Sequence, residues 1–102
     1  MSVVRISLAR FDASQYDAIV QKWNESQATL VPAIRALKGN IAFYVAIDRE
    51  NSATTNVSVW ETMADAKQMD TLPEMLNLAP SFVAAGARFE RPITNHEVLW
   101  EL

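Results

Sequence analysis

The sequence predicts a single α+β domain whose elements run β-α-β-β-α-β. Short segments with a two-residue apolar period stand near both ends of the chain and in its middle. Two longer segments between them carry apolar residues at helical spacing. The 102 residues leave room for one core, spanning 1–102, and no second module.

Val3 to Phe11 alternates, with Val4, Ile6 and Leu8 on one face and Arg5, Ser7 and Ala9 on the other, as in a strand. Asp12 or Ser14 is suited to cap the following helix by accepting from its free N–H groups. Ile19, Val20, Trp23, Leu30, Val31, Ile34 and Leu37 then form one helical stripe, in which Trp23 reads as core. Pro32 lacks an N–H and predicts a kink or a break, and Lys38-Gly39 closes the segment. Ile41 to Ile47 is almost continuously apolar, which predicts a strand covered on both faces. A polar loop from Asp48 to Thr54 leads into a third strand, Thr55 to Glu61. Thr62-Met-Ala-Asp65 has the form of a capping box and opens a second helical region carrying Ala66, Met69, Leu72 and Met75. Pro73 and Pro80 predict that this region is segmented, and Gly86 ends it. Beyond Pro92, Val98, Trp100 and Leu102 alternate with Glu97, Leu99 and Glu101, the pattern of a last strand.

This order is that of a ferredoxin-like domain with a four-stranded antiparallel sheet. Right-handed crossovers place both helical regions on one face of such a sheet and leave the other bare. The aromatics Tyr44, Trp60 and Trp100 argue against a fully wet bare face, and a second copy of the chain is its simplest cover. A one-residue shift of register exchanges the faces, which leaves the face of Trp60 open. Arg5, opposite Val4, Ile6 and Leu8, is expected at that interface, paired with Glu97 or Glu101 of a neighbouring strand.

Composition excludes several functions. The net charge is -3 and the nine basic residues are scattered, so no phosphate-neutralising face for nucleic acid is expected. With no cysteine there is no disulfide, thiolate nucleophile or thiolate metal site. No apolar run is long enough to span a membrane and the first residues lack a signal-peptide pattern, so a cytoplasmic location is the expectation. The Asn-x-Ser triplets at Asn24 and Asn56 then read as chance matches. One histidine, with Asp65, Asp70 and Glu74 taken as a solvated stripe, predicts no metal site.

The third strand carries the most chemistry. Asn56, Ser58 and Trp60 share one face of Asn56-Val57-Ser58-Val59-Trp60, setting an amide and a hydroxyl beside a flat indole. That set suits an aromatic or polyketide-like ligand, although a Trp beside a Ser on a sheet face is more often interface packing. His96 is the one histidine and a candidate for acid–base or binding work, or a surface residue.

The whole chain resembles the dimeric α+β barrel superfamily, and most closely the antibiotic biosynthesis monooxygenase family. The resemblance lies in the strand–helix start, in Pro32-Ala-Ile-Arg35-Ala-Leu-Lys-Gly39 and in Val59-Trp60-Glu61-Thr62. It implies a homodimer that oxidises phenolic polyketides without a cofactor. Asn56 would hold the substrate oxygen or dioxygen beside Trp60, and the substrate's own anion would supply electrons. Ser58, Tyr44, Arg88 and His96 complete the expected binding set. Two family positions differ: Ala66 stands where a Tyr is expected, and Pro80 where an Arg is expected, with Arg88 the nearest substitute. The haem-degrading branch asks for a first-strand Asn and a second-helix His, where this chain has Arg5 and Ser7, and Met69. The alternative to an oxygenase is a homodimer that binds an apolar metabolite without turnover, or a purely structural role.

Overall fold

The computed structural model describes residues 2–102. Strand β1 (Val3–Arg10) leads through a 3-10 turn into helix α1 (Tyr16–Arg35), then the hairpin β2 (Asn40–Asp48) and β3 (Ala53–Trp60). The second helical region is α2 (Met63–Lys67), a 3-10 turn, α3 (Pro73–Leu76) and α4 (Ala79–Ala84). Strands β4 (Arg88–Phe89) and β5 (Thr94–Glu97) follow. The sheet is antiparallel in the order β2-β3-β1, and β4 and β5 both pair with the remaining edge of β1. They are two halves of one fourth strand, broken around Pro92. The predicted ferredoxin-like order therefore holds.

Local chemistry explains the element ends. The Asp12 backbone N–H donates to Gln15 Oε1 at 3.0 Å, which organises the entry to α1. Of the kink or break expected at Pro32, the break does not occur, and α1 continues to Arg35. The carbonyl deprived of a donor is that of Ala28, and both Ala28 and Pro32 are exposed, so that carbonyl is open to water. In the hairpin, Asp48 accepts from the Asn51 N–H at 3.1 Å and from Asn51 Nδ2 at 2.8 Å. The side-chain bond most, then the backbone bond, holds the Asp48 carboxyl below its ordinary value. Thr62 Oγ1 accepts from the Asp65 N–H at 3.0 Å and caps α2 as predicted. Pro73 and Pro80 lie in the first turns of α3 and α4, where no N–H is required, so they start helices rather than merely interrupting one.

Two packed clusters fill the space between sheet and helices. One joins Val3, Leu30, Ile34 and Trp60 to Ala66, Met69 and Leu72. The other joins Ala9, Phe11 and Ile19 to Phe82 and Ala87. This fixes the sheet faces, and it reverses one expectation. Trp60, whose face the sequence left open, points under the helices and is 0% exposed. Arg5, expected at the interface, also points inward and is 5% exposed. Alternation alone misleads here because a mixed face with an internally neutralised Arg5 is the one the helices cover. Val4, Ile6, Leu8, Val57 and Val59 occupy the opposite, uncovered face by the register of β1 and β3. Tyr44 pairs with Val57 on that face and is 61% exposed.

Two further expectations change. Strand β2 lies at the sheet edge and is not covered on both faces within one chain. The predicted last strand also stops at Glu97, which pairs with Val3 at the start of β1. Past it the Val98 N–H reaches Ser2 O at 2.9 Å and the ladder has no further partner, so Leu99, Trp100 and Leu102 are exposed.

Candidate ligand-binding site

Between the inner sheet face and α3–α4 lies a cavity of ≈ 480 Å³. Its floor is polar. Arg5 and Ser7 of β1 lie directly across from Ser58 and Asn56 of β3 in the strand register, and Asn95 of β5 stands opposite Arg5. Its walls are apolar: Trp23 from α1, Phe43 from β2, Met75 and Phe82 from the helical region, and Phe89 from β4. Trp23 and Phe82 pack with ring centroids 4.3 Å apart, and the Trp23 indole N–H donates to Thr54 Oγ1 at 3.0 Å. A rigid aromatic wall against a hydrogen-bonding floor is the arrangement that orients a flat, oxygenated ligand.

The floor is organised by three polar arrangements. Arg5 Nη2 meets Asp70 Oδ1 at 2.6 Å, and Arg5 Nη1 donates to Asn95 Oδ1 at 3.3 Å. A guanidinium this buried is tolerable only when paired. Asp70, expected in a solvated stripe, is indeed exposed and also supplies that charge, whereas Asp65 of the same stripe is buried. The Trp60 indole N–H donates to Ser58 Oγ at 2.8 Å. Having accepted there, the Ser58 hydroxyl keeps its own proton to donate. Asn56 Oδ1 is shut off from solvent with no hydrogen-bond partner among the described residues. An orphaned buried amide oxygen costs about 1–3 kcal/mol, which a ligand donor or a water would relieve.

Of the residues named from sequence, Asn56 and Ser58 line the cavity. Trp60 does not: it lies in the core beneath, its N–H spent on Ser58, so it supports the site from behind. Tyr44, Arg88 and His96 are not brought to the cavity. Tyr44 is on the outer face, and His96, paired with Val4 in register, is there too, with Nε2 2.8 Å from Thr94 Oγ1. Arg88 is exposed near Asp12, Nη1 to Oδ1 3.5 Å. Arg5, Ser7, Asp70 and Asn95 were missed. Their signal was present in β1, where Arg5 and Ser7 alternate in phase with Ser58 and Asn56. Reading it required knowing which face the helices cover. Among the described residues no group of three His, Cys, Asp or Glu is placed to hold a metal ion, and no helix is long and apolar enough to cross a membrane.

Neither a scan of family models nor a comparison with curated proteins finds a match. Solved structures do match over nearly the whole chain. A Nitrosomonas europaea protein provisionally named an antibiotic biosynthesis monooxygenase aligns with TM-score 0.70 at 17% identity, covering 97% of this chain and 91% of its own. Rv0793 from Mycobacterium tuberculosis aligns at 0.68 and 16% identity, covering 99% and 98%. SnoaB, a cofactor-independent oxygenase from Streptomyces nogalater, aligns at 0.66 and 12% identity, covering 99% and 96%. The chain thus has the ferredoxin-like α+β fold of structures that carry the antibiotic biosynthesis monooxygenase name.

Proposed function

We propose that this protein is a small-molecule oxygenase of the cofactor-independent antibiotic biosynthesis monooxygenase type, acting on an aromatic, polyketide-like phenol in the cavity above Asn56. The observation that carries the reading is Asn56, which lines an aromatic-sided cavity and whose buried Oδ1 has no hydrogen-bond partner among the described residues. The Asn56 Nδ2 amide and the Ser58 hydroxyl would donate to the ionised substrate oxygen, with Asn56 Oδ1 accepting from a neighbouring substrate hydroxyl. Trp23, Phe43 and Phe82 exclude water and fix the ring plane. The ionised substrate supplies the electrons. A ring CH₂ loses a proton, its carbanion transfers electrons to dioxygen, a C–O bond forms, and the hydroperoxide loses water. One CH₂ and one O₂ give one C=O and one H₂O. Trp60 positions Ser58 in this scheme and does not touch the substrate.

A second reading is binding without turnover. Asp70, the carboxylate among the lining residues, is engaged by Arg5, and His96 lies on the far side of the sheet, so substrate deprotonation would rely on the substrate's own acidity. Incubation with an anthrone-type phenol under oxygen tests both. The oxygenase reading expects quinone formation above the uncatalysed rate and a loss of about 10²-fold in Asn56→Ala, the scale of removing one oriented group that stabilises developing charge. Saturable binding with no rate above background supports the binding reading and ends the oxygenase one.

The same proposal includes a homodimer joined through the outer face of Val4, Ile6, Leu8, Val57 and Val59. Apolar surface of that extent left open in one chain favours self-association. Sedimentation at micromolar concentration is expected to give twice the 11.4 kDa chain mass, and a chain that sediments as a monomer would contradict it.

A further inference from the structure

One cation at the cavity wall has no acidic partner among the described residues, its Nη1 donating only to the Glu90 carbonyl at 3.4 Å. Arg91, which joins the two halves of the fourth strand, lines the cavity and is exposed to solvent. It makes no ion pair among the described residues, and its neighbours have theirs: Glu90 with Arg10 Nε at 2.7 Å, Asp70 with Arg5, Asp12 near Arg88. Its guanidinium carbon lies 5.0 Å from the Phe89 ring centroid, and Phe89 is itself part of the cavity wall. A guanidinium over an aromatic face is held in place without being discharged. The charged side chains of the lining are Arg5, Asp70 and Arg91. The first two cancel, so the cavity carries one net positive charge in a chain of net charge -3.

We infer that the ligand of this cavity bears a carboxylate, held by Arg91 at the solvent side while its ring system lies against Trp23 and Phe82. Arg5 is not that anchor, because it is already paired with Asp70 and displacing that carboxylate would leave a buried charge unpaired. The Arg91 fork matches a carboxylate with two parallel N–H···O bonds, and no compensating acid has to be displaced. This inference rests on the cavity being a ligand site and adds the chemical class of one substituent. Arg91 is a specificity residue in it, remote from the atoms that react.

The test is a fluorescence titration with two tricyclic probes of equal size, anthracene-2-carboxylate and 2-(hydroxymethyl)anthracene. Wild type is expected to bind the carboxylate about tenfold more tightly at low ionic strength, the scale of one charge-assisted contact at a solvent-facing site. That advantage should shrink as salt is raised toward 1 M, where charges are screened within about 3 Å. Arg91→Gln should erase the difference and leave the alcohol's affinity unchanged, Arg91→Lys should retain part of it, and Arg10→Gln should retain all of it. Equal affinities in wild type, or a preference that survives in Arg91→Gln, would overturn the inference and leave the ligand site standing. Failure of both probes to bind wild type would overturn it together with the ligand site.

Discussion

At Gly39 the chain leaves α1 for β2 with φ +76°, and a Cβ there would run into the Asp65 carboxylate. Gly39→Ala should therefore destabilise the fold by about 1–2 kcal/mol or more from the left-handed backbone alone. Denaturant unfolding measures this, and an unchanged midpoint would mean that the turn relaxes freely. Other single residues were less readable from sequence. Asn56 and Ser58 were found because an amide and a hydroxyl two residues apart on a strand share a face. Trp60 obeyed the same rule and still does not line the cavity. Its ring is large enough to fill the space behind Ser58, and its N–H found a partner there. Arg5 was misplaced for the opposite reason. A charged residue on a strand reads as surface until its partner is known, and Asp70 is 65 positions away in the chain.

Among the elements, the second helical region has the weakest local support. Its pieces are four to six residues long, too short to hold by propensity, so they depend on caps and on packing against the sheet. Thr62→Ala removes the side-chain acceptor at the start of α2 and should cost about 1 kcal/mol. Amide exchange should speed first in α2 and its following turn. Uniform loss across the sheet would contradict that assignment. Segmentation was legible because two prolines dictate it. The continuity of α1 through Pro32 was not, because the answer depended on whether the Ala28 carbonyl faces water. The last strand was overextended for a similar reason: Val98 to Leu102 has strand periodicity, but periodicity does not reveal where the neighbouring strand begins. Here β1 begins at Val3, and the ladder ends with it.

For the whole molecule, order and topology followed from hydrophobic period, and the fold matches known structures whose sequences are 17% identical or less in the alignments described. What period could not supply was the division of labour between the two sheet faces. Both are substantially apolar, the inner one packed against the helices and the outer one uncovered in the single chain. Charge placed on the outer face tests the dimer without touching the cavity. Ile6→Asp should convert a dimer to a monomer in sedimentation while leaving ligand affinity within about twofold if the site is complete in one chain. A dimer that persists in Ile6→Asp would move the interface elsewhere.

The proposed ligand lies under the helices, on the face shared by β1, β3 and β5. The most direct measurement of its place is backbone amide NMR during titration with an anthrone-type phenol. Concerted shifts at Ser7, Asn56, Ser58 and Asn95 are predicted, with Tyr44, Arg88 and His96 unmoved. Shifts confined to Tyr44, Arg88 and His96, or none at saturating ligand, would contradict it.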